Sequence, residues 1–127
     1  MKKIIKTNDA PKALATYSQA VEINGMLFIS GQIAIDPATA NLVEGGITEQ
    51  TEQVMKNLAA ILKEAGYAFK DVVKSTCLLS DMNNYAAMND IYGSFFPEDA
   101  PARAAFAALA LPKGALVEIE MIAGRDA

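Results

Sequence analysis

A change of apolar period in the middle of the chain constrains the fold more than any other feature. Across residues 47–65, apolar and small side chains recur at spacings of three and four, which places them on one face of a helix. Gly66 follows, and glycine is a natural helix terminator because it readily adopts the left-handed conformation. The pattern therefore predicts a long helix with a buried stripe made of Ile47, Thr51, Val54, Leu58, Ile61, Leu62 and Ala65.

Strand patterns lie on both sides of this helix. Residues 18–23 alternate roughly, Asn24-Gly25 is a strong signal for a two-residue hairpin turn, and residues 26–33 resume as an apolar strand. Val72–Leu79 is apolar and β-branched, which is typical of a buried strand. The order of these elements fits an α+β protein in which helices pack on one face of a sheet.

A second helix is predicted in the next segment. Residues 81–84 supply turn and N-cap chemistry, and Pro97 stops the helix. Asn89 lies beside the apolar stripe, where it is by default a polar residue at the edge of the buried face. The stripe itself consists of Tyr85, Met88, Ile91, Tyr92 and Phe95.

Gly31, near the end of the hairpin's second arm, has two interpretations. It marks a bulge or bend in the strand, or its missing side chain lets a ligand approach the backbone amide. The residues alone do not favour either.

One arginine and two glutamates stand in apolar surroundings near the end of the chain. Arg103 lies in an alanine-rich run, and Glu118 and Glu120 lie in a predicted strand, where period two puts both on one face. The simpler interpretation is a structural ion pair at Arg103 and a solvated strand face. The functional interpretation is a site that holds a small carboxylate in the guanidinium fork and moves protons with a glutamate of raised pKa. From the residues alone we favour the structural interpretation.

The residue inventory excludes several kinds of chemistry. The 127 residues include no histidine, which removes His-based triads and most zinc sites. Cys77 is the only cysteine, and its apolar surroundings favour an inert core thiol. The net charge of -4 and the scattered basic residues disfavour a nucleic-acid partner. Without a membrane-spanning run or a signal peptide, we expect a cytoplasmic protein with no membrane partner and a single domain over residues 1–127.

Several short segments, in order and with similar spacings, resemble the Rid (YjgF, reactive intermediate deaminase) family over nearly the whole chain. They are YSQA at 17–20, FISGQ at 28–32, VVKST at 72–76, MNDIY at 88–92, PARAAF at 101–106 and LPKGALVEIE at 111–120.

The resemblance implies a chorismate-mutase-like α+β fold with a mixed β-sheet and two helices packed on one face. It also implies a homotrimer with sites in the clefts between subunits. Residues 102–111 are rich in alanine and leucine, so propensity alone predicts a helix there. The resemblance instead implies a strand, a turn at residues 112–114 and a hairpin partner over residues 116–123, and we follow it because tertiary context overrides propensity.

The implied activity is that of a 2-iminobutanoate/2-iminopropanoate deaminase-type hydrolase. Such an enzyme would hydrolyse enamine and imine products of pyridoxal-phosphate dehydratases, such as 2-aminoacrylate, to 2-oxo acids and ammonia, with no cofactor and no metal. By resemblance, Arg103 would bind the substrate carboxylate and Glu118 would orient or activate water and shuttle protons. The residues expected to line the cleft are Tyr17, Ser30, Gly31 and Asn89. Glu120 is left as structural.

Two departures from the family pattern leave the substrate preference open. Ala15-Thr16 precede Tyr17 where many members have Gly-Pro, and Ala105 stands where many have a cysteine, so no catalytic thiol is assigned. Two other functions remain as alternatives. One is a non-catalytic protein that binds a 2-oxo acid or another metabolite. The other is an interaction protein, although the acidic balance and the missing histidine argue against an RNA nuclease.

Overall fold

A computed structural model describes residues 1–126 of the chain. In chain order its strands are β1 (Lys3–Ile5), β2 (Ala20–Ile23), β3 (Met26–Gln32), β4 (Ile35–Asp36), β5 (Asn41–Leu42), β6 (Val72–Leu79), β7 (Ala102–Ala107) and β8 (Val117–Gly124). Two α-helices, α1 (Ile47–Ala65) and α2 (Tyr85–Ser94), complete the set. Six strands form one mixed sheet in the order β1-β2-β3-β8-β6-β7, and β4 and β5 pair separately.

The predicted hairpin is confirmed by β2 and β3. Its turn residues Asn24 and Gly25 have φ values of 50° and 75°, and two successive positive φ angles match the twist of the flanking strands. Between Ile29 and Gln32 the pairing of β3 with β8 shifts register, which is a β-bulge. The bulge interpretation of Gly31 is therefore correct.

Helix α1 has the predicted bounds, and Gly66 ends it with a φ of 83°. The predicted stripe is buried from Thr51 to Leu62, whereas its end residues Ile47 and Ala65 are partly exposed. Two polar residues are buried with it. Asn57 donates hydrogen bonds to the Ile33 and Ile35 carbonyl oxygens at 3.2 and 2.9 Å. Gln50 accepts a 2.9 Å bond from the Leu116 amide. These two side chains fix the helix to the segments that follow β3 and precede β8.

Helices α1 and α2 pack on each other and on one face of the sheet, called here the inner face. The α2 residues Met88 and Tyr92 are 0% and 4% exposed. Side chains buried on the inner face include Leu27, Ile29, Ser75, Cys77, Leu79, Val117, Ile119 and Met121. The opposite, outer face carries no helix of the described chain.

Residues 102–107 form strand β7, so the strand interpretation is confirmed over the helix that propensity favours. The predicted hairpin between this strand and β8 is wrong. Strand β7 pairs in parallel with β6 at the sheet edge, whereas β8 lies between β3 and β6 and is antiparallel to both. Burial explains the order, because the inner side chains of β8 are at most 1% exposed and need a central strand, while β7 remains partly exposed.

Candidate functional site

Strand β8 presents its two carboxylates to the outer face. Val117, Ile119 and Met121 alternate with them and are buried on the inner face, as period two predicts. Glu118 is half-buried and Glu120 is exposed. The central position of β8 therefore places Glu118 over the middle of the sheet.

Four of the predicted site residues line one open cavity of about 490 Å³, called here the glutamate cavity. They are Tyr17, Ser30, Gly31 and Glu118. Two lysines, Lys12 and Lys113, also line it, together with apolar side chains that include Leu14, Ile33 and Ile35. Glu120 lines it as well, so the cavity combines the half-buried Glu118 carboxyl with a second, exposed carboxylate and with cationic and apolar walls.

Gly31 lies directly under the Glu118 side chain. A Cβ atom at position 31 would clash with the Glu118 Oε2 atom. The absence of a side chain at Gly31 therefore serves the close approach of a carboxylate from the neighbouring strand.

Burial raises the pKa of the Glu118 carboxyl above its ordinary value, and the nearby negative charge of Glu120 raises this pKa further. Within residues 1–126, no lysine or arginine nitrogen lies within 4.0 Å of either carboxylate. A carboxyl group with a raised pKa and without a fixed partner is better suited to exchange protons than an ordinary exposed carboxylate.

A hydrogen-bonded loop holds Tyr17 at the cavity. Gln19, which is 4% exposed, accepts from the Thr7 amide at 2.7 Å and donates to the Pro11 carbonyl oxygen at 2.9 Å. Ser30 Oγ donates to the Ser18 carbonyl oxygen at 2.6 Å, which ties this loop to the bulge in β3. Tyr17 thus lines the cavity from a loop in which Ala15 and Thr16 precede it.

Arg103 lies elsewhere, on the inner side of the sheet edge and against α2. Its Nη1 atom donates to Asn89 Oδ1 at 2.7 Å, and its Nη2 atom donates to the Tyr85 hydroxyl oxygen. The guanidinium carbon lies 5.4 Å from the Tyr85 ring centroid and 5.0 Å from that of Tyr92. Arg103 with Tyr85, Asn89 and Tyr92 is called here the arginine site.

The structural interpretation of Arg103 as an ion pair does not hold. Among residues 1–126, no Asp or Glu oxygen lies within 4.0 Å of its guanidinium group. A guanidinium carries five N–H donors, and Asn89 and Tyr85 use two, so three remain. The guanidinium group is therefore fixed in position and still has N–H donors available for a ligand.

The two groups of predicted residues lie on opposite faces of the sheet. Arg103 is in register with Ser75, whose side chain is buried on the inner face, whereas Glu118 projects from the outer face. The chain therefore brings Tyr17, Ser30 and Gly31 together with Glu118, and it brings Asn89 together with Arg103. It does not join the two sets.

Sequence reasoning missed the role of two tyrosines. It assigned Tyr85 and Tyr92 to the apolar core. In the structure the rings of both also contact the guanidinium group of Arg103. The signal was present, since Tyr85 precedes Asn89 by four residues and Tyr92 follows it by three, which puts all three on one helix face.

The buried thiol of Cys77 faces Ala105 across the β6–β7 pair. It is 0% exposed, and burial raises its pKa to about 11, against a smaller opposing effect of Arg103. A thiol in this state is a poor nucleophile, as its apolar surroundings predicted. The described residues contain no cluster of three or more metal-ligating side chains and no helix long and apolar enough to cross a membrane.

The fold is α+β, and its candidate site residues form two groups, one around a guanidinium with unused N–H donors and one around a half-buried carboxyl group. The endoribonuclease L-PSP family matches residues 7–124. The chain belongs to this family, which is the Rid (YjgF) family that its motifs indicated.

Individual relatives agree with this assignment. A mouse protein named 2-iminobutanoate/2-iminopropanoate deaminase is 49% identical over 97% of this chain and 91% of its own length. The structure of the Rid family protein YyfA from Yersinia pestis has a TM-score of 0.96 and 48% identity, covering 98% of this chain and 100% of that one. The structure of Escherichia coli TdcF with bound serine has a TM-score of 0.93 and 35% identity, covering 98% of this chain and 99% of that one.

Proposed function

We propose that this protein is an imine deaminase of the 2-iminobutanoate/2-iminopropanoate type, which hydrolyses reactive enamino and imino acids, 2-aminoacrylate among them, to 2-oxo acids and ammonia. The observation that carries the proposal is the arginine site, where a fixed guanidinium has three unused N–H donors and no carboxylate partner among residues 1–126. The name of the mouse relative and the serine bound to TdcF support it.

The reaction needs little beyond positioning and proton transfer. The enamine takes up a proton from solvent at carbon to give an iminium ion, which is the protonated imine. Water adds to its carbon and loses a proton, and the resulting carbinolamine, protonated on nitrogen, releases ammonia as its hydroxyl gives up a proton to form the 2-oxo acid. Arg103 holds the carboxylate, which stays unchanged throughout. Glu118 accepts a proton from the attacking water and returns it to the departing amine, a role that its raised pKa suits. Such general acid–base help is worth about 10²–10⁴-fold.

We propose further that the active site forms between subunits of a homotrimer. Arg103 and Glu118 lie on opposite faces of one sheet, so a complete site needs the arginine site of one subunit and the glutamate cavity of its neighbour. The outer face supports this assembly, because Phe28 and Phe106 are 45% and 50% exposed there without a covering layer. A cyclic trimer would bury these side chains and form three equivalent clefts.

The proposed substrates are products of pyridoxal-phosphate-dependent elimination reactions, which places the protein beside such dehydratases, in the cytoplasm. The direct test generates 2-aminoacrylate in situ with a dehydratase and measures 2-oxo acid formation with and without this protein. We expect acceleration by the wild type and none by folded Arg103→Ala. If the folded wild type does not accelerate the reaction but does bind a 2-oxo acid, the protein is a metabolite-binding protein and not a deaminase.

The location of the site is tested separately by mixing subunits. Arg103→Ala and Glu118→Gln are each expected to be inactive alone. If they are unfolded together and refolded as mixed trimers, random assortment gives about one intact site in four. Recovery of activity supports sites between subunits, whereas no recovery in verified mixed trimers places both residues within a single chain's site and overturns the proposed assembly.

A further inference from the structure

The hydroxyl group of Tyr85 has an unused proton beside the Arg103 guanidinium. A guanidinium only donates hydrogen bonds, so in the contact between Arg103 Nη2 and Tyr85 the phenolic oxygen is the acceptor. The hydroxyl proton is not used in that contact, and among residues 1–126 the Tyr85 hydroxyl has no other hydrogen-bond partner. It is a free donor next to the free donors of Arg103.

The two tyrosines of the arginine site differ in this respect. Tyr92 is 4% exposed, and its hydroxyl is buried beside the Ser75 side chain, so only its ring face serves Arg103. Tyr85, at the start of α2, is only partly buried. A small anion that binds the open edge of Arg103 can therefore reach the hydroxyl of Tyr85 but not that of Tyr92.

We propose that Tyr85 is a substrate-binding residue whose hydroxyl donates a hydrogen bond to the carboxylate held by Arg103. This inference rests on the proposed function and extends it to a residue outside the family motifs quoted above. A carboxylate offers about four lone-pair positions, so it accepts a bidentate guanidinium and one further donor together. The third donor makes the site selective for a planar carboxylate over an uncharged ester or amide.

The kinetic signature follows from the chemistry. The carboxylate keeps its charge from bound substrate to transition state, so a contact with it contributes equally to both and appears in KM rather than in kcat. Tyr85→Phe keeps the ring over Arg103 and removes only the hydroxyl. We expect KM to rise about tenfold or more with kcat retained, as for a lost hydrogen bond to a charged group.

Tyr67→Phe is the matched control. It also removes one phenolic hydroxyl, which donates to Glu22 at 2.6 Å in a cluster outside both parts of the site. We expect its KM and kcat to remain those of the wild type. Melting curves and size measurements on both variants show whether they fold and assemble alike. Unchanged KM in folded Tyr85→Phe would overturn the proposal.

A second variant separates a direct contact from mere support of Arg103. Ring-fluorinated tyrosine at position 85 is a stronger hydrogen-bond donor and a weaker acceptor than tyrosine. Calorimetry with 2-oxobutanoate, at a pH where the phenol stays protonated, then gives opposite results for the two roles. Tighter binding supports donation to the ligand. Weaker or unchanged binding overturns it, because the hydroxyl would then act only as an acceptor for Arg103.

The same titration distinguishes failure of this inference from failure of the proposed function. If the wild type binds 2-oxobutanoate but does not deaminate imines, the proposed deaminase function is wrong. The binding data then decide whether Tyr85 contacts the ligand. If the wild type deaminates imines and the position-85 variants keep its affinity and KM, the proposed function stands and the Tyr85 contact is wrong. No binding by the wild type at all would overturn the contact as well.

Discussion

The arginine site and the glutamate cavity both hold a charged group in apolar surroundings, but they hold it differently. Arg103 is fixed by hydrogen bonds to Asn89 and Tyr85 and by the ring of Tyr92. Glu118 has no hydrogen-bond or ion-pair partner among residues 1–126 and rests over the bare backbone of Gly31.

The difference separates two tasks. A group that recognises a carboxylate works best when its donors are already oriented, because less conformational entropy is lost on binding. A group that moves protons needs a pKa near the working pH, which a tight cationic partner would lower. We therefore expect changes at Arg103 to act mainly on KM and changes at Glu118 to act mainly on kcat.

Glu118→Gln tests the proton-transfer role that distinguishes the glutamate cavity from the arginine site, and it has the largest expected effect. The amide keeps the size of the side chain but cannot accept and return a proton, so we expect kcat to fall about 10²–10⁴-fold with KM little changed. Steady-state kinetics on the folded variant measures this. Glu120→Gln, on the same face of β8, is the comparison: it removes a charge that raises the Glu118 pKa but leaves the proton carrier in place, so its effect should be far smaller. A large rise in KM for Glu118→Gln would instead make Glu118 a binding residue.

Arg103→Lys tests the recognition role assigned to the arginine site. Lysine keeps the charge but loses the planar fork and its fixed geometry, so we expect KM to rise roughly tenfold or more while kcat stays within a few-fold. The measurement is again steady-state kinetics, with binding of 2-oxobutanoate as a check. A fall in kcat at unchanged KM would move Arg103 from recognition to the chemical step.

Gly31→Ala sharpens the comparison by displacing the carboxylate without removing it. The new Cβ clashes with Glu118 Oε2, so the side chain must move, and we expect kcat to fall about tenfold at unchanged KM, within the acid–base contribution assigned to Glu118. Gly93→Ala is the control, because nothing lies within 4 Å of its Cβ position in α2. It should keep activity and gain about 0.5–1 kcal/mol of stability. Unchanged kcat in Gly31→Ala would show that Glu118 tolerates displacement.

The smallest expected effect is on stability as a function of pH. The folded-state pKa of Glu118 is raised, so the folded protein holds this proton more tightly than the unfolded chain does. Its contribution favours folding at low pH and is lost as the pH rises above 4.5 and through the folded-state pKa. Thermal melts should show Glu118→Gln gaining slightly on the wild type between pH 4 and 7. A difference in melting temperature that is constant with pH would contradict this.

The sequence predicted the elements whose signals are local. The bounds of α1 follow from its own periodicity and from Gly66, and the turn at Asn24-Gly25 requires only the conformations of two residues. It also predicted which face of β8 carries Glu118, because alternation is a property of any strand. Residues 102–107 were predicted as a strand only through the family resemblance, since alanine favours a helix.

The candidate site was likewise predictable only where the signal is local. Arg103 and Glu118 stand out as charges in apolar runs, but no pattern indicates that they lie on opposite faces of the sheet. Tyr85 looks like any core residue of an amphipathic stripe. Its spacing from Asn89 puts both on one helix face, but only its contact with Arg103, on a strand beyond the end of α2, shows which polar group it meets.

The sequence by itself determined the helices, the hairpin, the alternation of β8 and the charged residues available for chemistry. The tertiary structure alone decided that β8 lies in the centre and β7 at the edge, that Gly31 makes room for Glu118, and that α2 holds Arg103. The physical reason is that periodicity and turn conformation act over a few residues. Strand order and side-chain contacts instead depend on how distant segments compete for burial in one core.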